Sequence, residues 1–222
     1  MNRIIACGIM KTELDHLIRS SPRKDEVTIR YLPQKLHRDP EKLKLGLQDA
    51  INEAEHEEGK LILGYGLCCN AVVGVKAPDK GMYIPRVHDC ITFFLGSREK
   101  YQEQFNKQPG TYYLTSSWIN NKKDPLGLVE NEYTERVGRA LAEETMEAEI
   151  RNYKQISYIH TIGGKRKHRE RAISNAEHFQ KELVEHEVNN EFFEKILFGP
   201  YEAPDFIYVE PNEIIKQKDF FK

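Results

Sequence analysis

The chain has 222 residues and a formal net charge of −2, with 39% hydrophobic and 31% charged residues. This charge balance argues against nucleic acid as a partner, and no apolar run approaches the roughly 20 residues of a bilayer span, so we expect no membrane partner either. We therefore expect a cytoplasmic protein, whose four cysteines are metal ligands, reactive thiols or buried packing residues rather than a disulfide framework.

The first half of the chain alternates apolar runs with amphipathic patterns. Helices are predicted to start near Thr12, at the Asp39-Pro40 cap, at Cys90 and after Ser97. The helix after Asp39 should bury an apolar side and end at Gly59, with an acidic solvated end that includes Glu57. The apolar runs predict strands over 3–9, 27–32, 60–63 and 82–87.

The second half repeats the alternation less regularly. A fifth strand is predicted over 111–119 and a sixth over 155–159, with helices over 125–153 and 169–188. Two further apolar segments predict short strands over 192–198 and 205–209. This alternation predicts an α/β fold: a mostly parallel, doubly wound, Rossmann-like sheet with helices on both faces. The length suits either one domain over 1–222 or one domain with a second sub-domain over 120–222.

Three cysteines and a histidine follow predicted strands. Cys7 lies near the end of the first strand, Cys68 just past the third, and His88 and Cys90 at the end of the fourth. In a parallel sheet these ends share one edge, where ligands gather. Whether the side chains meet depends on the order of the strands, which the sequence leaves open.

If they converge, Cys7, Cys68, Cys90 and His88 match the ligand preference of zinc, and the three thiolates alone can hold a [4Fe-4S] cluster. Asp89 would then cap the helix or orient His88 from behind. The competing interpretation is that the cysteines are packing residues, since cysteine is often buried for that reason alone. Cys69 is the odd one out and is expected behind Cys68 rather than in the ligand set.

Two glycine-containing loops predict a pocket for an anion or another small ligand. Gly64 and Gly66 allow a tight turn and a close approach to a ligand, although their spacing does not make a dinucleotide fingerprint. The second loop joins a strand to a helix, and its basic residues either face water or bind phosphate or carboxylate. The residues predicted for this role are Gly64, Gly66, Thr115, Gly163, Gly164, Lys165 and Arg166.

Several runs carry a family resemblance: LGYGLC at 63–68, IPRVHDCI at 84–91, LGS at 95–97, and PGTYYLT at 109–115 followed by Trp118. The chain resembles a prokaryotic family catalogued as the domain of unknown function DUF1638, most specifically over 61–118. The family often has glycine where this chain has Cys69. The resemblance implies no established reaction and only a link to corrinoid-dependent methyl transfer, from which we expect corrinoid contact and a corrinoid protein or methyltransferase as partner.

Three functions are therefore kept open. The first is a metal- or iron–sulfur-binding protein that acts on, or delivers a group to, a small molecule at the sheet edge. The second is a non-catalytic accessory protein that binds an anion or other ligand. The third is a metal-free enzyme in which Cys68 or Cys90 is the nucleophile and His88 the general base.

Overall fold

The computed structural model describes residues 1–56, 58–68 and 70–221. Within them, the strands are β1 (Asn2–Cys7), β2 (Val27–Leu32), β3 (Lys60–Gly64), β4 (Met82–Pro85), β5 (Thr111–Leu114), β6 (Gln155–His160), β7 (Glu182–Glu187) and β8 (Phe206–Val209). The helices are α1 (Lys11–Ser20), α2 (Pro40–Ala54), α3 (Ile91–Leu95), α4 (Arg98–Lys107), α5 (Ser116–Asn120), α6 (Pro125–Leu128), α7 (Thr134–Val137), α8 (Arg139–Ile150), α9 (Arg166–His178) and α10 (Glu191–Phe198).

The chain divides into two compact units. Unit 1 is formed by Met1–Arg98 together with Asn190–Lys222, and unit 2 by Glu99–Asn189. Unit 2 is thus an insertion, because the chain returns to unit 1 after β7. The prediction of a sub-domain over 120–222 concerns independent folding and stays a prediction.

The sheet of unit 1 has the strand order β2-β1-β3-β4-β8. The first four of these strands run parallel, and β8 joins the edge in the opposite direction. Strands β1, β3 and β4 are largely buried because their residues are apolar on both faces, as Ile4 and Ile62 illustrate, whereas the edge strand β2 is partly exposed. These two residues are neighbours in the β1–β3 register. Burial of such a side chain stabilises the fold by about 1.5–3 kcal/mol.

The predicted cap of α2 is confirmed. The Asp39 side chain accepts a hydrogen bond from the Lys42 backbone N–H, and Pro40 occupies the first turn. The helix buries Leu43, Leu47, Ala50 and Ile51, which are residues of the predicted apolar side. The acidic end predicted after this helix includes Glu57, which lies outside the described residues.

Unit 2 holds a separate parallel sheet with the order β5-β6-β7. Its core has two clusters, one between α6 and α8 around Val129 and Met146, and one between β6 and α9 around Ile156 and Ala172. The predicted α/β class with a mostly parallel arrangement is therefore confirmed, although the strands are shared between two sheets.

Three predicted elements were wrong. The segment 192–198 forms helix α10 and not a strand, since Phe192, Phe193, Ile196 and Leu197 are buried at helical spacing. The fifth strand ends at Leu114, and α5 follows it. The helix predicted over 169–188 is α9 followed by β7, a half-exposed strand with charged residues on its outer face; its polar composition concealed it.

Candidate functional site: the carboxyl edge of the unit 1 sheet

The strand order places the carboxyl ends of β1, β3 and β4 side by side. The chain leaves β1 for β2 on one side and later continues from β3 to β4 on the other. The boundary between β1 and β3 is therefore a topological switch point, where ligands of open α/β sheets bind. Cys7 ends β1, and the segment containing Cys68 follows β3 at this boundary.

Glycine at position 66 lets two loops lie in contact beyond the strand ends. A Cβ atom on Gly66 would lie 2.8 Å from the Val87 carbonyl oxygen and 3.0 Å from the Cα of Asp89. Backbone hydrogen bonds join the loops on both sides, from Leu67 N–H to Val87 O at 2.9 Å and from Cys68 N–H to His88 O at 3.0 Å. These contacts fix Cys68 next to the segment that carries His88 and Cys90. Gly64 approaches β1 closely, with its Cβ position 3.1 Å from that of Ala6.

The three described cysteines are thiols with little or partial exposure. Cys7 is 8% exposed and Cys68 5% exposed, and Cys90 is half-buried at the start of α3. Cys68 has a φ of 46°, in the left-handed region that non-glycine residues seldom adopt. The tight turn after β3 therefore holds a strained residue at the sheet edge, as functional sites often do. Cys69 lies outside the described residues.

Tyr65 lies among these cysteines, and the sequence reasoning missed it. The β1–β3 register pairs Ala6 with Gly64, so Cys7 and Tyr65 are the next residues along these two strands. Tyr65 is 2% exposed, and its hydroxyl makes no well-formed hydrogen bond within the described residues. Burial raises the pKa of Tyr65 well above its usual value, and the thiols of Cys7, Cys68 and Cys90 raise it further. The available signal was a tyrosine between two glycines directly after a buried strand.

The thiols also act on one another. Burial raises the pKa of Cys7, although the Ile9 backbone N–H and the Tyr65 hydroxyl both lower it. This contact with Tyr65 falls short of full hydrogen-bond geometry, which agrees with a thiol being a weak partner. Burial, then Cys68, Asp89 and Cys7, raise the pKa of Cys90 well above its usual value. The thiolate form of Cys90 is therefore not favoured, because the short α3 does not offset burial and the neighbouring negative charge.

His88 and Asp89 form a pair at the rim of this cluster. His88 Nδ1 lies 2.9 Å from Asp89 Oδ2, and the other carboxylate oxygen, Oδ1, accepts the Ile91 backbone N–H at 2.9 Å. Asp89 thus orients His88 and caps the first turn of α3, the two roles that the sequence suggested. The hydrogen bond with Asp89 raises the pKa of His88 above its usual value. The His88 side chain is 60% exposed, in contrast to the buried cysteines.

In the part of the chain that the structure describes, no three His, Cys, Asp or Glu side chains are arranged as a ready ligand set for one ion. The donor chemistry at the sheet edge nonetheless suits a soft metal, since three thiols share one buried environment.

The remaining predicted ligand residues belong to unit 2. Thr115 is buried and caps α5 by accepting the Ser117 backbone N–H at 3.2 Å. Lys165 precedes α9 directly, and Arg166 is exposed and forms an ion pair with Glu170. Gly163 and Gly164 form a turn in which the Gly164 N–H bonds to the Thr161 carbonyl oxygen at 2.9 Å. Their role in anion binding stays a prediction.

The fold and this edge define a doubly wound α/β protein whose switch point gathers buried thiols. The chain belongs to the family described as "Protein of unknown function (DUF1638)", whose model matches residues 31–197. This confirms the resemblance inferred from the sequence, and the match includes Tyr65, Cys68 and Cys90 but not Cys7. Neither the curated proteins nor the solved structures contain a match for the chain. None of the described helices has the length and apolarity needed to span a bilayer.

Proposed function

We propose that this protein binds a soft metal ion or an iron–sulfur cluster through Cys7, Cys68 and Cys90. It would act on, or deliver a group to, a small molecule at the same sheet edge. One observation carries the proposal: thiols from the ends of three neighbouring strands surround one buried tyrosine, Tyr65. Packing cysteines would not need to meet at a switch point.

The electrostatics of the cluster support the binding of a cation. The pKa of Cys90 is raised in part by the neighbouring thiols, because two thiolates repel each other at close range. A bound cation would remove that repulsion and replace the thiol protons. Since no complete ligand set is preformed among the described residues, the side chains would have to turn toward the ion as it binds. The bound metal would supply Lewis acidity to a substrate, or electron transfer in the case of a cluster.

His88 is proposed at the rim of the site and not in its buried centre. Asp89 holds Nδ1 of the ring, as carboxylates commonly hold histidine ligands in metal sites. Its exposure places it where a small molecule from solvent would arrive. His88 can therefore complete a four-ligand zinc set or contact the substrate of a three-thiolate cluster.

Anaerobic purification followed by quantification of metals and acid-labile sulfide tests the proposal. We expect a stoichiometric metal in the wild type and its loss in a Cys68→Ser/Cys90→Ser double variant. Visible absorbance with labile sulfide identifies a cluster, and zinc without sulfide identifies the ion.

Cys69→Ser is the matched control, because Cys69 is outside the proposed ligand set. It should retain the metal of the wild type. Absence of any metal from wild type and double variant alike would contradict the proposal, and loss in Cys69→Ser would show that the ligand set is wrong.

The two alternatives have less support. A cysteine nucleophile needs a thiolate at neutral pH, and the raised pKa of Cys90 opposes it. The anion pocket lacks a buried charge, since Lys165 and Arg166 are exposed. Contact with a corrinoid, a corrinoid protein or methyltransferase as partner, and a cytoplasmic location stay predictions.

A further inference from the structure

We propose that Tyr65 is a positioning residue of the thiol site: its hydroxyl donates a hydrogen bond to a metal-bound sulfur of Cys7, Cys68 or Cys90. This inference rests on the proposed function, because it assigns the Tyr65 hydroxyl a partner that exists only when the site is filled. It extends the site from its ligands to the group that supports them. No motif in the sequence identifies this role.

The Tyr65 hydroxyl destabilises the fold where it stands. A buried hydroxyl without a good partner is unfavourable, and such groups are rare in native proteins. Tyr65 is 2% exposed, so water does not solvate it as it would a surface tyrosine. A phenylalanine would fill the same volume without this cost. The hydroxyl therefore indicates a partner beyond the side chains that the structure describes.

The surroundings of the hydroxyl identify the chemistry of that partner. The groups that act on Tyr65 most strongly are the thiols of Cys7, Cys68 and Cys90. A neutral thiol accepts hydrogen bonds weakly, whereas a thiolate bound to a metal carries negative charge and accepts them well. Groups that support metal ligands in this way typically contribute 10- to 100-fold in metal affinity.

The backbone places Tyr65 beside Cys7. Cys7 is the last residue of β1, and Tyr65 is the first residue after β3, adjacent to it in parallel register. Gly66 then allows the chain to approach Val87 closely. A donor held on such a framework needs no rearrangement when the metal arrives.

Titration of the reduced, metal-free protein with Cd²⁺ tests the inference, with the thiolate-to-metal charge-transfer absorbance as the signal. The variant is Tyr65→Phe, and Tyr158→Phe is the matched control, since Tyr158 is an equally buried tyrosine of unit 2. We expect Tyr65→Phe to bind Cd²⁺ about 10- to 100-fold more weakly and to shift the charge-transfer band, because the sulfur loses its hydrogen bond. Tyr158→Phe should match the wild type in both.

The outcomes separate this inference from the proposed function. Failure of the wild type to bind Cd²⁺ overturns both. Binding by Tyr65→Phe with unchanged affinity and band overturns the role of Tyr65 alone. A tyrosinate absorbance that forms with Cd²⁺ in the wild type would make Tyr65 a direct ligand and also overturn the donor role.

If Tyr65→Phe does not fold, the wild type provides an independent test. Ultraviolet resonance Raman spectra before and after Cd²⁺ should show a change in the tyrosine bands that report hydrogen bonding. Unchanged tyrosine bands at saturating Cd²⁺ would overturn the inference.

Discussion

Named polar groups at the sheet edges of the two units differ in their hydrogen bonding. In unit 2, His168 accepts the Lys165 backbone N–H at 3.1 Å and contacts Asn120 at 2.9 Å, and Thr115 caps a helix. In unit 1, the buried hydroxyl of Tyr65 has no well-formed partner among the described residues and is surrounded by thiols.

This difference distinguishes Tyr65 from His168 and Thr115. Bonded polar groups stabilise the fold in which they lie, and His168 and Thr115 are accounted for in that way. Ser157 and His186 of unit 2 also carry buried atoms without a hydrogen bond among the described residues, but the described cysteines all lie in unit 1. Buried groups without such bonds and with raised pKa values are more typical of sites that await a ligand. The strand order agrees, since only the unit 1 sheet contains a switch point.

The largest effect is expected from breaking the hydrogen-bond network around Asp124 in unit 2. Asp124 is 1% exposed, and its carboxylate accepts hydrogen bonds from Arg171, Asn175 and the Gly127 N–H. Asp124→Ala should lower the free energy of unfolding by about 3–5 kcal/mol in urea denaturation, because three donors lose their buried acceptor, although Arg171 keeps its ion pair with Glu130. The exposed pair Arg139–Glu143 gives the control, since Glu143→Ala should cost less than about 1 kcal/mol. Equal effects of both variants would contradict the distinction between the networks.

A smaller effect is expected from crowding the unit 1 edge. Gly66→Ala would place a Cβ 2.9 Å from the Val87 Cγ2 and push the two loops apart. We expect a loss of about 1–3 kcal/mol in unfolding free energy, together with weaker metal binding. Gly46→Ala, in the interior of α2 with its nearest neighbour at 3.4 Å, should be neutral or stabilising by up to about 1 kcal/mol. Full metal binding by Gly66→Ala would mean that the loop contact does not position Cys68.

The smallest effect is a pH dependence in unit 2. Burial, together with Lys167 and Lys165, lowers the pKa of His168 below its usual value. The unfolded chain therefore takes up more protons as the pH falls below the ordinary histidine pKa of about 6.5, and the stabilisation present above that pH is lost. Urea denaturation at neutral and at mildly acidic pH should show that His168→Ala loses less unfolding free energy between the two pH values than the wild type does. His16→Ala, at an exposed position, should lose as much as the wild type. An equal loss in His168→Ala and the wild type would refute the assignment of the pH dependence to His168.

Local pattern was sufficient for most strands of unit 1 but not for the segments 182–187 and 192–198. The segment at 192–198 has too few residues for its period to distinguish helix from strand, and burial of four apolar residues on one side of α10 decided it. The strand β7 was missed because its charged residues suit an exposed helix equally well. Cys7, Cys68, His88 and Cys90 could be located from the sequence because metal-binding side chains follow predicted strands. Tyr65 could not, because a tyrosine at that position does not by itself indicate a site.

The sequence by itself determined the α/β class, the family, and the location of Cys7, Cys68 and Cys90 at strand ends, since hydrophobic period and turn residues are local properties. Only the tertiary structure decided that β1, β3 and β4 are neighbours, because strand pairing depends on contacts between residues distant along the chain. It also decided that a tyrosine lies among the thiols, since that position follows from the β1–β3 register and the close approach at Gly66.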